Sequence, residues 1–190
     1  PQAIAAGAAA VVAERAPSAA STVPWIVVHD ARLTLAWLAA AFFEHPSRQM
    51  RVVGITGTNG KTTTTYVVSA IFEAAGVRCG LMGTVKYQIG DREVAAARTT
   101  PEAPEVQGMM RQMVDAGCGA CAMEVSSHGL AQGRVAAVRF DAAVFTNLTR
   151  DHLDFHGDME SYAATKAGLF ERPGVRLRVF NADDAFGAEL

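Results

Sequence analysis

The sequence carries no surplus of charge of either sign. Its 190 residues hold 17 Lys and Arg against 19 Asp and Glu, a formal net charge of −2. No basic field calls for nucleic acid, so a negatively charged substrate needs a local positive site instead. Cysteine is sparse: Cys79, Cys118 and Cys121 cannot all pair, and the Cys118-Gly-Ala-Cys121 spacing has no second cysteine pair to complete a metal site. That spacing also falls in a run that reads as a strand, so buried reduced thiols are expected. The alanine-rich start lacks the basic segment of a signal peptide, and the longest apolar stretch, residues 35–43, is too short to cross a bilayer. The expectation is a cytoplasmic protein without membrane insertion. There is no internal repeat, no low-complexity linker and no initiator methionine. What remains, half hydrophobic and 19% charged, is ordinary globular composition.

The chain is organised around residues 52–65, VVGITGTNGKTTTT. A β-branched run reads as a buried strand and stops at Gly57-Thr58-Asn59-Gly60, where glycines permit a tight turn and close approach of a ligand. Lys61, Thr62 and Thr63 then open a helix-compatible stretch. Strand, glycine turn and helix start together make an anion site, in which backbone N–H groups face phosphate, Lys61 adds charge and the Thr62 hydroxyl can bind Mg²⁺. The usual phosphate-loop pattern wants glycine five places before Gly60, where this chain has Ile55. An ordinary strand-to-helix turn containing Gly-Lys-Thr is the competing reading.

Around this stretch, strands alternate with helices. Helices are expected over residues 3–10, 33–43, 62–75 and from 100 on, the last capped by Thr100 with Pro101 and Glu102 in its first turn. Val106, Met109, Met110 and Met113 form its core stripe. Strands are expected over residues 25–28, 77–82, 118–125, 140–146 and 176–180, with a hairpin about Gly90-Asp91. The fold class is α/β, a mostly parallel sheet flanked by helices, with ligands beyond the carboxyl ends of its strands. Residues 1–30 read as the tail of a preceding domain and 31–190 as a central domain cut short before its sheet is complete.

Three apolar strands each run into a polar cluster, and these should gather on one sheet edge. Glu124 sits inside an apolar run, where a lone carboxylate is costly. Either a cation such as Mg²⁺ or an arginine partner removes that cost. His152 reads as a metal ligand or as a helix-capping or core histidine. Asp158 caps a helix whose one face carries Met159, Tyr162, Ala163, Lys166 and Phe170. Lys166 thus points where apolar residues point. It either snorkels to solvent or is desolvated, with a lowered pKa that lets the neutral amine add CO₂ and become a carbamate.

The runs GTNGKTT, TTPE at 99–102, MEVSSHGL at 123–130, QGR at 132–134, TNLTRDHLDFHG at 146–157 and SYAATKAGLF at 161–170 resemble the central ATPase domain of the Mur ligases. The resemblance is greatest to members that add the third amino acid, diaminopimelate or lysine, to a UDP-N-acetylmuramoyl dipeptide in peptidoglycan synthesis. It covers nearly the whole chain, residues 1–29 resembling the end of the family's uridine-nucleotide-binding domain. It implies that Gly57, Thr58, Asn59, Gly60, Lys61, Thr62 and Thr63 hold the ATP phosphates. Thr62 and Glu124 would hold a first Mg²⁺, with His152 and a carbamylated Lys166 serving a second. Thr99, Thr100, Ser126, Gln132 and Arg134 would contact the dipeptide substrate. The implied chemistry is attack of a carboxylate on the ATP γ-phosphate, then displacement of phosphate from the acyl phosphate by the amine of an amino acid. Lys61, His152 and Lys166 would be catalytic, in a monomer.

The family's C-terminal domain has no counterpart here, so a fragment inactive by itself is expected, and the choice of third residue is not readable. A folylpolyglutamate synthetase is the competing ligase, against which the VSSHGL and QGR runs argue. A nucleotide-binding switch without ligase activity would need the loop but not His152 and Lys166.

Overall fold

A computed structural model describes residues 2–190. Helix α1 (Gln2–Ala5) is one turn rather than the run to residue 10 expected from its alanines. Gly7, in the left-handed region at φ 90°, stops it. Strands β1 (Val11–Ala13) and β2 (Trp25–Val27) pair in parallel as a separate two-stranded sheet. Helix α2 (Ala31–Phe42) begins where the Asp30 carboxylate accepts the Leu33 N–H at 2.8 Å. It ends before a 3₁₀ turn at Pro46–Arg48.

Then come β3 (Arg51–Thr56), α3 (Lys61–Ala74) and β4 (Cys79–Met82). The polar segment after β4 is a true hairpin, β5 (Lys86–Ile89) and β6 (Arg92–Ala95), turning at Gly90. Helix α4 (Ala103–Asp115) is capped by Glu102 and Glu105 in a reciprocal box, not by Thr100. The Thr100 hydroxyl is engaged elsewhere, donating to the Glu124 carbonyl and accepting the Ser126 N–H, and so does not cap the helix. The Met stripe is confirmed, with Val106, Met110 and Met113 fully buried. The chain continues through β7 (Ala120–Glu124), α5 (Ser127–Ala131), β8 (Ala142–Phe145), α6 (Leu153–His156), α7 (Met159–Ala167), β9 (Leu177–Phe180) and α8 (Ala185–Glu189).

The main sheet has the order β6-β5-β4-β7-β3-β8-β9. Its last five members are parallel, and the hairpin adds an antiparallel edge. Because β3 and β7 are covered on both faces, they are continuous apolar runs rather than alternating ones. Val52 belongs to the larger core with Met110, Met113, Met123 and Phe140. Its neighbour Val53 points the other way, into a core with Ile55, Cys79, Ala120 and Ala122 under α3. All three cysteines are buried free thiols, as their spacing suggested.

Gly54 in β3 is held to glycine by packing. A Cβ there would lie 2.8 Å from the ring of Phe140 and 3.3 Å from Val125. Phe140 has no exposed surface into which to move. Gly54→Ala should therefore lower stability by about 1–3 kcal/mol, the usual cost of overpacking. A urea midpoint equal to that of the wild type would show that the core yields at this point.

Candidate active site at the strand ends

Strands β7, β3 and β8 lie side by side and run in one direction. The polar segments that follow them must therefore emerge on one edge. The glycine loop follows β3, Ser126-Ser127-His128 follows β7, and the segment from Thr146 follows β8. This is the gathering that the sequence pattern demands.

The loop is braced from β8. Asn147 accepts the Thr58 N–H on its carbonyl at 2.8 Å and the Asn59 N–H on its side-chain oxygen at 3.0 Å. The Thr146 hydroxyl donates to the Asn59 carbonyl at 2.6 Å. Gly57, at φ 146°, passes so close to this strand end that a Cβ would sit 1.9 Å from Thr146 Oγ1. Gly60, at φ 80°, is the N-cap of α3 and leaves the first turn with no side-chain cap. These uncapped N–H groups, with the positive end of the helix dipole, form an anion cradle. Gly57 through Thr63 are thus brought together, although glycine is missing at Ile55.

Two lysines meet at this loop. Lys61 Nζ donates to the carbonyls of Gly57 and Thr58, both at 2.8 Å. Lys166 Nζ donates to the same Gly57 carbonyl at 2.9 Å. Lys166 is 1% exposed and lies 4.5 Å from the centre of the Tyr162 ring. It does not snorkel. Burial, with Lys61 adding repulsion and Asp151 partly opposing it, lowers its pKa to about 7. Burial also lowers that of Lys61, opposed by the negative charges of Glu124 and Asp151. The cation that acts on Lys166 is thus Lys61. Arg134 is committed elsewhere: it pairs with Glu102 at 3.1 Å and donates to the Thr100 carbonyl at 2.8 Å.

Glu124 is 1% exposed. Its two oxygens accept the N–H and the hydroxyl of Thr84, at 2.9 and 3.0 Å. No arginine pairs with it among the described residues, which removes one of the two readings of its burial. A hydroxyl chain extends outward from it. Thr84 bonds Thr99 at 3.0 Å, while Thr100 donates to the Glu124 carbonyl at 2.9 Å and accepts the Ser126 N–H at 3.0 Å. Arg134 also donates to Gln132. Thr99, Thr100, Ser126, Gln132 and Arg134 therefore form one connected wall.

His152 is placed differently from its neighbours. It is the N-cap residue of α6 at φ 52°, makes no side-chain cap bond, and stands 3.5 Å from Asp151 with 45% of its side chain exposed. It packs in an aromatic cluster, its ring 4.8 Å from that of His128 and 6.2 Å from that of Tyr162. His156 joins at 5.1 Å from Tyr162. Burial and mutual repulsion lower the pKa of His128 and of His156.

Sequence reasoning missed three residues here: Thr84, Asn147 as a brace, and Tyr162, whose hydroxyl meets that of Thr58 at 3.1 Å. Thr84 was findable, since it follows the end of β4, a fourth strand end beside the other three. Tyr162 sat in the helix stripe and was counted only as core.

Among the described residues, no group of three or more His, Cys, Asp or Glu side chains is placed to hold a metal by itself. That does not disqualify Mg²⁺, which is commonly held by one or two carboxylates together with phosphate oxygens and water. The buried Glu124 carboxylate has hydroxyl donors but no counter-cation at contact, and the Thr62 hydroxyl is within the anion cradle, so the donor set suits a nucleotide with Mg²⁺.

Comparison with known proteins gives the same direction. The Mur ligase middle domain matches residues 55–190. A UDP-N-acetylmuramoyl-L-alanyl-D-glutamate--2,6-diaminopimelate ligase of Geobacter sulfurreducens is 52% identical over 97% of this chain and 38% of its own length. A UDP-N-acetylmuramyl-tripeptide synthetase of Roseiflexus sp. is 52% identical over 97% of this chain and 39% of its own. The chain thus spans under two-fifths of the length of these relatives. A solved structure of a UDP-N-acetylmuramoyl-L-alanyl-D-glutamate--2,6-diaminopimelate ligase superposes over 98% of this chain and 38% of its own, with a TM-score of 0.84 and 32% identity. A Mycobacterium tuberculosis folylpolyglutamate synthase, solved with ADP and AMPPCP, shares the fold at a TM-score of 0.60 over 83% of this chain and 43% of its own, with 18% identity.

The Lys166 amine makes stability depend on pH. The native chain loses this proton near pH 7, whereas the unfolded chain holds it to about the ordinary 10.5. Between those values the unfolded state binds more protons, so this group's contribution to stability rises with pH. Below pH 7 the buried charge costs its full amount. Urea unfolding of wild type and Lys166→Met should show a stability difference that grows in favour of the wild type from pH 7 toward 10. A difference that stays flat would mean that Lys166 keeps an ordinary pKa.

Proposed function

The chain belongs to the Mur ligase family, and from that premise we propose that it is the nucleotide-binding portion of an ATP-dependent ligase. The reaction is addition of the third amino acid to UDP-N-acetylmuramoyl-L-alanyl-D-glutamate in peptidoglycan synthesis. Relatives at about half identity are named for 2,6-diaminopimelate, which we take as the amine donor. Residues 1–30 are assigned to the end of a uridine-nucleotide-binding domain and 31–190 to the central domain, in a protein that acts as a monomer. The observation that carries this reading is the buried Glu124 carboxylate, with no cation at contact, one strand away from a glycine loop that ends in Lys61 and Thr62.

When bound, ATP supplies the phosphoryl group that converts a substrate carboxylate into an acyl phosphate open to the incoming amine, and Mg²⁺ neutralises phosphate charge. The residues of this chain bind and orient. Gly57 to Thr63 receive the phosphates through the Lys61 amine and the uncapped N–H groups at the start of α3, while Asn147 holds the Thr58 and Asn59 N–H groups and so shapes the loop. Thr62 and Glu124 hold the first Mg²⁺. Lys166, whose amine is neutral over half the time above pH 7, can take up CO₂. As a carbamate it would serve a second metal with His152. Thr99, Thr100, Ser126, Gln132 and Arg134 face the dipeptide, Arg134 offering the positive charge for its carboxylates. The Thr84 hydroxyl and N–H fix the Glu124 oxygens, so the metal site is set before a ligand arrives.

The folylpolyglutamate alternative has the shared fold in its favour, but the 18% identity of that neighbour carries no activity across. Phosphate release that requires the muramoyl dipeptide, measured on the intact protein, separates these ligases from each other and from a nucleotide switch.

In the intact protein, Lys61→Ala should abolish ATP-dependent ligation and leave the circular dichroism spectrum unchanged. Near-wild-type turnover would remove the phosphate-loop assignment. Glu124→Gln keeps shape without charge and should raise the Mg²⁺ concentration for half-maximal activity by about tenfold or more, since metal-ligand losses are typically of that order. An unmoved Mg²⁺ titration would reduce Glu124 to a structural carboxylate.

A further inference from the structure

The amino ends of the same strands carry a second concentration of positive charge. A cavity of about 480 Å³ opens there between α2, the segment before β8 and the segment before β9. Trp37, Arg48, Arg139, Arg172 and Gly174 are among its walls. This is within the usual size range of small-molecule sites. Arg48 and Arg51 also line a neighbouring depression with Arg139, Asp141 and Arg176. One acid faces this group, and it is spoken for: Asp141 pairs with Arg139 and accepts the Val52 N–H at 3.0 Å. Arg48, Arg51, Arg172 and Arg176 have no carboxylate partner among the described residues. In a chain of net charge −2, such a cluster is a local field and not a reflection of composition.

The walls are held in place. Ser47, 2% exposed, accepts the Arg139 backbone N–H at 3.1 Å, which fixes the 3₁₀ turn bearing Arg48 against the segment before β8 that bears Arg139. Arg172 Nη1 donates to the carbonyls of Val135 and Ala136 at 2.7 and 3.3 Å, and its Nε is enclosed without a partner. Burial pushes the Arg172 pKa down, the mark of a guanidinium whose charge nothing compensates. Trp37 is half exposed, a planar apolar wall beside the arginines.

We propose that this cavity is a second anion site, separate from the glycine loop, which binds a small phosphate ester bearing a planar ring, the chemistry of a nucleoside monophosphate. Arg48 and Arg172 meet the phosphate and Trp37 stacks on the ring. The glycine loop leaves the opposite end of β3, about 20 Å away at 3.3 Å per residue. The two sites are therefore independent, and the ligand here is not the phosphoryl donor.

The test is calorimetric titration of the intact protein with 5′-AMP and, separately, with inorganic pyrophosphate. Lys61→Ala discounts the glycine loop, and Arg48→Glu and Trp37→Ala probe the cavity. Arg48 and Trp37 are exposed, so circular dichroism should report unchanged folding. The expected result is AMP binding that survives Lys61→Ala but weakens about tenfold or more in Arg48→Glu, the scale of a lost charge-assisted contact. Trp37→Ala should weaken AMP about tenfold while leaving pyrophosphate within about twofold, because stacking acts only on the ring. No AMP binding, binding lost with Lys61→Ala, or binding indifferent to Arg48→Glu overturns the site. AMP binding indifferent to Trp37→Ala overturns the ring-bearing ligand.

Discussion

One carbonyl oxygen, that of Gly57, accepts hydrogen bonds from two lysine amines that arrive from opposite directions in the chain. Lys61 comes from the helix that follows the loop and Lys166 from α7. Burial strips water from both amines and lowers both pKa values, and Lys61 adds repulsion at Lys166. The loop can hold this arrangement because Gly57 adopts a backbone angle no side chain would permit, and because β8 braces it through Thr146 and Asn147. Tyr162 then closes the far side, its ring against Lys166 and its hydroxyl on Thr58. The rest of the site is arranged around that crowded point.

The opposite charge is handled by a different device. Glu124 is buried beside a hydroxyl and a backbone N–H of Thr84 rather than beside an arginine. Hydrogen bonds orient a carboxylate without neutralising it. An arginine partner would have made the residue more stable and less useful, since its charge would already be spent. The one arginine of this wall, Arg134, is held off by Glu102, the residue that also caps α4. Cap, arginine and substrate wall are therefore one construction, in which a helix end sets the position of a binding group.

The sequence displayed the fold well where period and length agreed. The parallel strands and the glycine loop were legible because burial on both faces writes continuous apolar runs, which end abruptly in glycine or polar residues. The Thr100 cap was misread because its hydroxyl is taken by Glu124 and Ser126, partners 24 and 26 positions away that local sequence does not show. At Lys166 spacing identified the face but could not decide between a buried amine and one reaching water. Only the loop carbonyl, a residue distant in the chain, settles that. Thr84 was missed because a hydroxyl just past a strand end has no pattern of its own. Its role comes from the strand order, and β7 lies between β4 and β3 although it follows both in the chain.

That strand order has a consequence for how the protein is made. The loop residue Asn59 waits for a partner 88 positions later, Thr58 for one 104 later, and Gly57 for one 109 later. At roughly 5–20 residues per second of synthesis, the glycine loop is made about 5–20 seconds before Lys166 is joined to the chain. For the first part of that interval β3 has no parallel neighbour on either side, since β7 and β8 both follow it. β3 is the first strand of the main sheet to be made, yet it ends in the sheet's interior and waits for β7 and then β8 before it is flanked on both sides, so this chain is open to mispairing in its middle as well as at its edges.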